Sequence, residues 1–278
     1  MQNVKESPLN NQKFKSFYGL IENPFDKEAT ASPFESEDFI QIRERSKWLM
    51  NSRGLGVFTG KAGTGKTYAI RQFVKEFNNR NYKFYYVHST SLTNIEFYRA
   101  LCYEFNIESS HRRVTMFKKI RDYITTSFKD NKISPVLIID EAHFLNQNIL
   151  NDLSLLLNYE YDSRNYLTIL MLGMETLNST LALYANEGLR QRITVNYMMA
   201  GLSLEEFKMY VNESLIKVGS TGSIFEEAVI NTIYNYSRGQ IRIANRYLTV
   251  CLIAGASRFE KVITTETLKI AYADINNS

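Results

Sequence analysis

Gly60-Lys61-Ala62-Gly63-Thr64-Gly65-Lys66-Thr67 follows the apolar run 55–59 and precedes a helical pattern opening near Tyr68. The spacing G-x-x-x-x-G-K-T is that of a phosphate-binding loop, and its flanks, strand before and helix after, are the ones such a loop needs. The glycines let the backbone curl until its N–H groups point at phosphate oxygens, and the helix N-terminus adds positive charge. Lys66 then reads as the contact to the β- and γ-phosphates and the Thr67 hydroxyl as a ligand of Mg2+. Gly60, Lys61, Ala62, Gly63, Thr64, Gly65 and Tyr68 complete the wall of a site for ATP.

A second stretch supplies the carboxylates this loop lacks. Val136-Leu137-Ile138-Ile139 is a fully apolar strand that ends in Asp140-Glu141, a Walker B pattern. Asp140 is placed to hold the metal's water shell, and Glu141, one residue beyond the strand, to orient and polarise an attacking water. Asp140-Glu141-Ala142-His143 also spells a helicase signature, but those enzymes need two nucleotide-binding-type domains and much more chain. His143, at the start of the following helix, has two readings: a link from nucleotide state to a neighbour, or a half-buried cap. His88 and His111, with Cys102 and Cys251 far away, give no metal-ligand spacing.

Outward from these motifs, short β-rich runs at 55–59, 84–88, 136–140, 167–173 and 193–197 are separated by helix-length segments. That alternation predicts an α/β fold of the P-loop type, five parallel strands sandwiched by helices. After Gly201 strand signals stop. Ser203 with Glu206 is a capping box opening a helix through about Val218, and helices at 225–236, 241–256 and 265–275 complete a small all-helical domain. The expected organisation is a tail over 1–16, a nucleotide-binding core over 17–200 and a helical lid over 201–278.

Composition agrees. Only 4 Pro and 13 Gly in 278 residues favour long helices over a turn-rich all-β fold. The two cysteines sit in apolar contexts and read as reduced core residues of a cytoplasmic protein. Apolar runs such as 167–174 and 247–256 are far shorter than the roughly 20 residues of a membrane span, and residues 1–15 lack the apolar stretch of a secretory signal. The net charge of +4 is small but uneven: residues 111–132 hold seven basic residues against two acidic ones, +5 in that window. Arg112, Arg113 and Lys118 are the candidates for sequence-independent contacts to duplex DNA phosphates. Lys118, Lys119 and Arg121 equally form the wet face of a helix whose apolar face is Phe117, Ile120 and Ile124.

Two arginine clusters stand near expected strand and helix ends. Leu189-Arg190-Gln191-Arg192-Ile193 precedes the last strand, where ring-forming ATPases present an arginine to the neighbour's γ-phosphate; Arg192 is the first choice and Arg190 the second, against ordinary surface pairing. Arg238, Arg242 and Arg246 recur every four residues on one helical face, with Arg242 placed to reach the phosphates from the lid. The alternative for that face is solvation.

Together these residues resemble the AAA+ ATPases of the ExeA family over nearly the whole chain. The shared features are Phe17-Tyr18-Gly19-Leu20 with Asn23-Pro24-Phe25, both nucleotide motifs, Gln191-Arg192-Ile193 and Ser237-Arg238-Gly239-Gln240-Ile241-Arg242. The resemblance implies a parallel core with a helical lid, homo-oligomers with nucleotide bound between subunits, and Phe25 near the adenine. ExeA-like chains divide between secretion ATPases, which continue into a membrane span and a cell-wall-binding domain, and ATPase helpers of DDE transposases, similar to the phage Mu B protein and the TniB group. An end at Ser278 points to the second branch, whose members bind duplex DNA as ATP-dependent rings or filaments. One departure stands out: the family's Gly-Gln-Pro-Glu is here Gly173-Met174-Glu175-Thr176, and a methionine cannot act as the polar sensor. Either Glu175 or Thr176 substitutes, or hydrolysis is slow and the protein is chiefly an ATP-dependent scaffold.

Overall fold

The structure is a computed structural model that describes residues 13–26, 33–77, 79–90, 92–160 and 164–276. In chain order it contains α1 (Lys13–Tyr18), α2 (Glu37–Ser52), β1 (Gly54–Gly60), α3 (Lys66–Glu76), β2 (Tyr82–His88), α4 (Asn94–Glu104), α5 (Arg113–Lys129) and β3 (Ser134–Asp140). A 3₁₀ turn at Ala142–Phe144 leads to α6 (Gln147–Leu156), β4 (Thr168–Gly173) and α7 (Thr176–Ala182). A second such turn at Tyr184–Asn186 leads to α8 (Glu187–Arg190) and β5 (Ile193–Met199). Then come α9 (Leu204–Lys217), α10 (Glu227–Ser237), α11 (Ile241–Ser257) and α12 (Thr265–Asn276). All five expected strands are present, and α3 begins at Lys66, two residues before the expected start, because the loop's last turn is already helical.

The chain divides into two compact units, one of Asp38–Ala62 and Lys66–Met199, the other of the described residues up to Glu37 with Gly63–Gly65 and those from Ala200 on. In the first, every strand pair is parallel and the order is β2-β3-β4-β1-β5. β1, β3 and β4 are buried along their whole length, as the three inner strands of a sheet covered on both faces must be. Successive residues feed opposite layers. Leu137, Ile139, Ile169 and Met171 join the core that includes Tyr98, Met116 and Ile149, whereas Val136, Ile138, Leu170 and Leu172 join the core that includes Ile42, Ile70 and Phe73. The edge strands β2 and β5 alternate in exposure instead.

The helical unit gathers its own core around Phe207, Val229, Leu248, Leu252 and Ile263. The expected capping box is present: the Ser203 hydroxyl accepts from the Glu206 N–H, and the Glu206 carboxylate accepts from the Ser203 N–H at 2.9 Å and from the Glu37 N–H at 2.7 Å. The described residues before Glu37 belong to this unit, which corrects the expected boundary at residue 17. The physical reason is the packing of Phe14, Leu20 and Phe25 into the helical core and the Tyr18 hydroxyl donating to the Glu260 carbonyl at 2.9 Å. The expected tail over 1–16 lies outside the described residues up to 12 and is helical from Lys13. Gly239, at φ +75°, lies in the short link from α10 to α11 just past the Arg238 cap; a Cβ there would lie 2.2 Å from the Leu202 carbonyl oxygen.

Candidate nucleotide site

The loop between β1 and α3 has the backbone that its glycines allow, with Gly63 at φ +81° and Gly65 at φ +103°. Lys66 is buried, and its ammonium donates to the Gly60 and Lys61 carbonyls, each at 2.9 Å. The ammonium is thus held inside the curl of the loop, where an incoming phosphate would exchange for those two carbonyls. Asp140, at the end of β3, is 3% exposed. A buried carboxylate needs donors, and three are supplied. Its Oδ1 accepts the Glu141 N–H at 2.9 Å, while Oδ2 accepts the Thr67 hydroxyl at 2.8 Å and the Tyr86 hydroxyl at 2.9 Å. Burial, and then the negative charge of Asp140, push the Tyr86 phenol above its ordinary value, so it stays a donor.

Glu141 follows in the left-handed region, at φ 54° and ψ 37°. For a residue with a Cβ this conformation is strained, and such residues concentrate at functional sites. The turn takes the chain off the strand and leaves the Glu141 side chain 40% exposed, beside the buried Asp140. His143 lies in the 3₁₀ turn, not at the start of α6, and its side chain is 9% exposed. The His143 Nδ1 accepts the Met174 N–H at 3.3 Å, lies 3.4 Å from the Glu141 carboxylate, and the ring packs on Phe144. His143 is thus not a plain helix cap; it ties the turn after β3 to the end of β4.

Tyr86 and Asn178 are site neighbours that the motifs do not mark. Asn178 donates its side-chain amide to the Thr59 hydroxyl at 2.8 Å, next to the start of the loop. Glu175 and Thr176, the expected substitutes for a polar sensor, are exposed at the start of α7. Tyr68, on α3, packs its ring near Phe39 and under Arg71.

A hydroxyl and a single carboxylate beside a phosphate loop suit Mg2+, which is commonly bound by one or two carboxylates together with substrate phosphates. Among the described residues no group of three His, Cys, Asp or Glu side chains could hold a metal by itself. Thr67 and Asp140 would hold the ion only in company with phosphate oxygens.

The chain has the fold of the AAA P-loop nucleoside triphosphatases. Residues 49–181 match the model of the AAA domain. Over 273 residues the chain is 28% identical to the general secretion pathway protein A of Aeromonas hydrophila, covering 95% of this chain and 48% of that protein. It therefore spans about half the length of the curated relative it matches. Among solved structures it is similar to Cdc6p from Pyrobaculum aerophilum, with TM-score 0.68, 14% identity and coverage of 90% of this chain and 70% of that one. It is also similar to the Aeropyrum pernix ORC1 protein in complex with DNA, with TM-score 0.65, 14% identity and coverage of 88% and 66%. At such identities the likeness is one of fold.

The remaining expected site residues are scattered. Arg190 is exposed on α8 and donates to the Ala182 carbonyl at 2.9 Å; Arg192 is half-buried and donates to the Gly188 carbonyl at 2.6 Å. Arg242 opens α11, its N–H donating at 3.2 Å to the carbonyl of Gly63, a residue of the same unit. Arg246 instead serves α12, donating to the Ile275 carbonyl near that helix's C-terminus, where a cation is favourable. The Phe25 ring is 4% exposed and packs near Tyr210 and Phe225 as a core side chain of the helical unit. The Asn23 side chain accepts the Phe25 N–H at 3.1 Å and fixes that turn.

The basic window resolves into mostly structural roles. Arg113 pairs with the buried Asp152 at 2.6 Å, Lys119 with Glu108 at 3.1 Å, and Lys129 with Glu160 at 2.7 Å. Arg121 donates to the Asn158 carbonyl at 2.8 Å and lies over the Tyr159 ring. Of the three candidate DNA contacts, Arg113 is exposed but already paired with Asp152, whereas Arg112, the N-cap of α5, and Lys118, on its outer face, are exposed.

Proposed function

We propose that the protein is a Mg2+-dependent ATP hydrolase that works as a homo-oligomer on duplex DNA, as a helper of a DDE transposase. The observation that carries the hydrolase reading is the grouping of Thr67, Asp140 and Glu141 at the mouth of the loop, with Thr67 and Asp140 already hydrogen-bonded. Lys66 leaves the Gly60 and Lys61 carbonyls for the phosphates, the loop N–H groups orient them, and Glu141 takes the proton of the attacking water. Mg2+, when bound, neutralises charge that develops on the transferred phosphoryl group. Arg190 and Arg192 of a neighbouring copy supply the remaining positive charge, with Arg190 the more exposed of the two, and Arg242 reports nucleotide occupancy. With Met174 in place of a polar sensor, turnover is slow, which suits an assembly that must persist in its ATP form.

DNA contact rests on the exposed Arg112, just before α5, and Lys118 on α5, supported by a fold neighbour whose structure was solved in complex with DNA. This reading puts the protein in the cytoplasm. A second reading, a secretion ATPase, is favoured by the similarity to the Aeromonas hydrophila secretion protein. Among the described residues no helix is long and apolar enough to cross a membrane. Steady-state ATP hydrolysis with and without duplex DNA, at low and high salt, separates the two. Salt-sensitive stimulation by DNA supports the transposition reading. Hydrolysis indifferent to DNA moves the assignment to secretion, and nucleotide binding without turnover leaves a scaffold.

A further inference from the structure

β2 and β3 pair in register, Tyr86 opposite Ile138 and His88 opposite Asp140. Residues opposite each other on paired strands share a face, as do residues two apart on one strand. Tyr86 therefore stands on the Asp140 face, one side-chain step, about 7 Å along the strand, before the carboxylate. A shorter side chain would stop below it. The phenol spans the gap, and its hydroxyl donates to Asp140 Oδ2 at 2.9 Å, the same oxygen that accepts the Thr67 hydroxyl. Tyr86 is 42% exposed, so the ring is only partly committed to core packing.

We propose that Tyr86 is a positioning residue for the metal: it holds the Asp140 carboxylate turned toward Thr67, so that the two oxygens meet Mg2+ already aligned. The inference rests on the ATP-binding reading above. Of the three donors to Asp140, the Glu141 N–H is fixed by the backbone and acts on the other oxygen. The Thr67 hydroxyl is itself a metal ligand in that reading, so its orientation changes when the ion arrives. Of these three, Tyr86 is the donor that holds Oδ2 from outside the loop, before and after metal entry.

The test compares the affinity for a fluorescent ATP analogue in excess Mg2+ with that in EDTA, for wild type, Tyr86→Phe and Lys66→Ala. The ratio of the two affinities isolates the metal, because a loss of fold weakens both and leaves the ratio alone. Loss of an outer partner of a metal ligand typically costs about 10- to 100-fold in metal affinity. For a ligand that keeps two other donors we expect the lower end, so Tyr86→Phe lowers the ratio about ten-fold and raises the Mg2+ concentration for half-maximal binding by a similar factor. An unchanged or larger ratio in Tyr86→Phe overturns the proposal while leaving ATP binding standing. If the wild type does not take the analogue under either condition, or Lys66→Ala takes it as well as wild type, the nucleotide reading itself falls and this inference with it.

Discussion

Replacing Arg113 by alanine should unfold the sheet-containing unit more easily and leave DNA affinity unmoved. Asp152 is a buried carboxylate, its side chain 8% exposed, and Oδ2 accepts both the Arg113 guanidinium and the Tyr98 hydroxyl at 2.6 Å. Removing one partner of a fully buried pair costs about 3–5 kcal/mol, because the remaining charge is left without compensation. Here the guanidinium is 44% exposed, so water screens part of the attraction, and the Tyr98 bond survives the substitution. About 1–3 kcal/mol remains, or a fall in the melting midpoint of roughly 4–8 °C at the middle of that range for a unit of this size. Urea unfolding of wild type, Arg113→Ala, Asp152→Asn and the double variant closes the cycle, and a coupling of at least about 1 kcal/mol is expected between the two sites. In parallel, Lys118→Ala should leave the midpoint in place and lower the salt slope of duplex binding by about one. If Arg113→Ala melts like wild type but loses salt-sensitive DNA binding, the assignment of Arg113 to Asp152 is wrong and the charge window is the interface.

Glu141→Gln should retain ATP binding but lose turnover by about 10²- to 10⁴-fold, the usual worth of a positioned base, whereas Lys66→Ala should lose binding itself; isothermal titration and phosphate release measure the two. Arg190→Ala and Arg192→Ala should leave ATP affinity near wild type and depress hydrolysis only at concentrations where the protein assembles, which a concentration series of turnover tests. Ser203→Ala removes the N-cap of α9 and should cost about 1 kcal/mol in urea unfolding, with no effect on the nucleotide-loop affinity. Burial pushes the Cys251 thiol up to about 12, and Cys102 is shifted in the same direction by the same cause. With so little thiolate at pH 8, neither should react with iodoacetamide until the protein is denatured; rapid labelling of the native protein would contradict the burial of both.

The strands are legible in the sequence because inner strands of a covered parallel sheet are uninterrupted apolar runs, and 136–140 and 167–173 are such runs. The edge strand β2 extends two residues further toward the N-terminus than its apolar run, because its first residues, Tyr82 and Lys83, alternate with exposure and carry no apolar signal. Capping chemistry is local, so Ser203 and Glu206 can be recognised three residues apart. Contacts made across the fold cannot: nothing near Tyr18 in sequence indicates that its hydroxyl meets a carbonyl 242 residues away, or that Phe25 turns inward. The basic window misleads for a related reason. Charge can be counted along a chain, but the acids that neutralise Arg113 and Lys129 lie on other segments, at Asp152 and Glu160.

Asp140 shows where the boundary lies. An aspartate at the end of a fully apolar strand will be buried, and a buried carboxylate requires hydrogen-bond donors, so the need for partners follows from the sequence alone. One partner, the Glu141 N–H, follows from the turn, and a second, the Thr67 hydroxyl, from the phosphate motif. The third requires knowing which strand lies beside β3 and in which register, and only then does a tyrosine one side-chain step back on that neighbour become the donor. Of the two edge strands, β2 is the one beside β3, and it carries Tyr82, Tyr85 and Tyr86. Tyr85 points to the opposite layer and Tyr82 donates to the Met50 carbonyl, which leaves Tyr86 as the phenol in reach of the carboxylate. The same register thus selects the residue whose substitution should alter metal affinity without touching the motifs that announce the site.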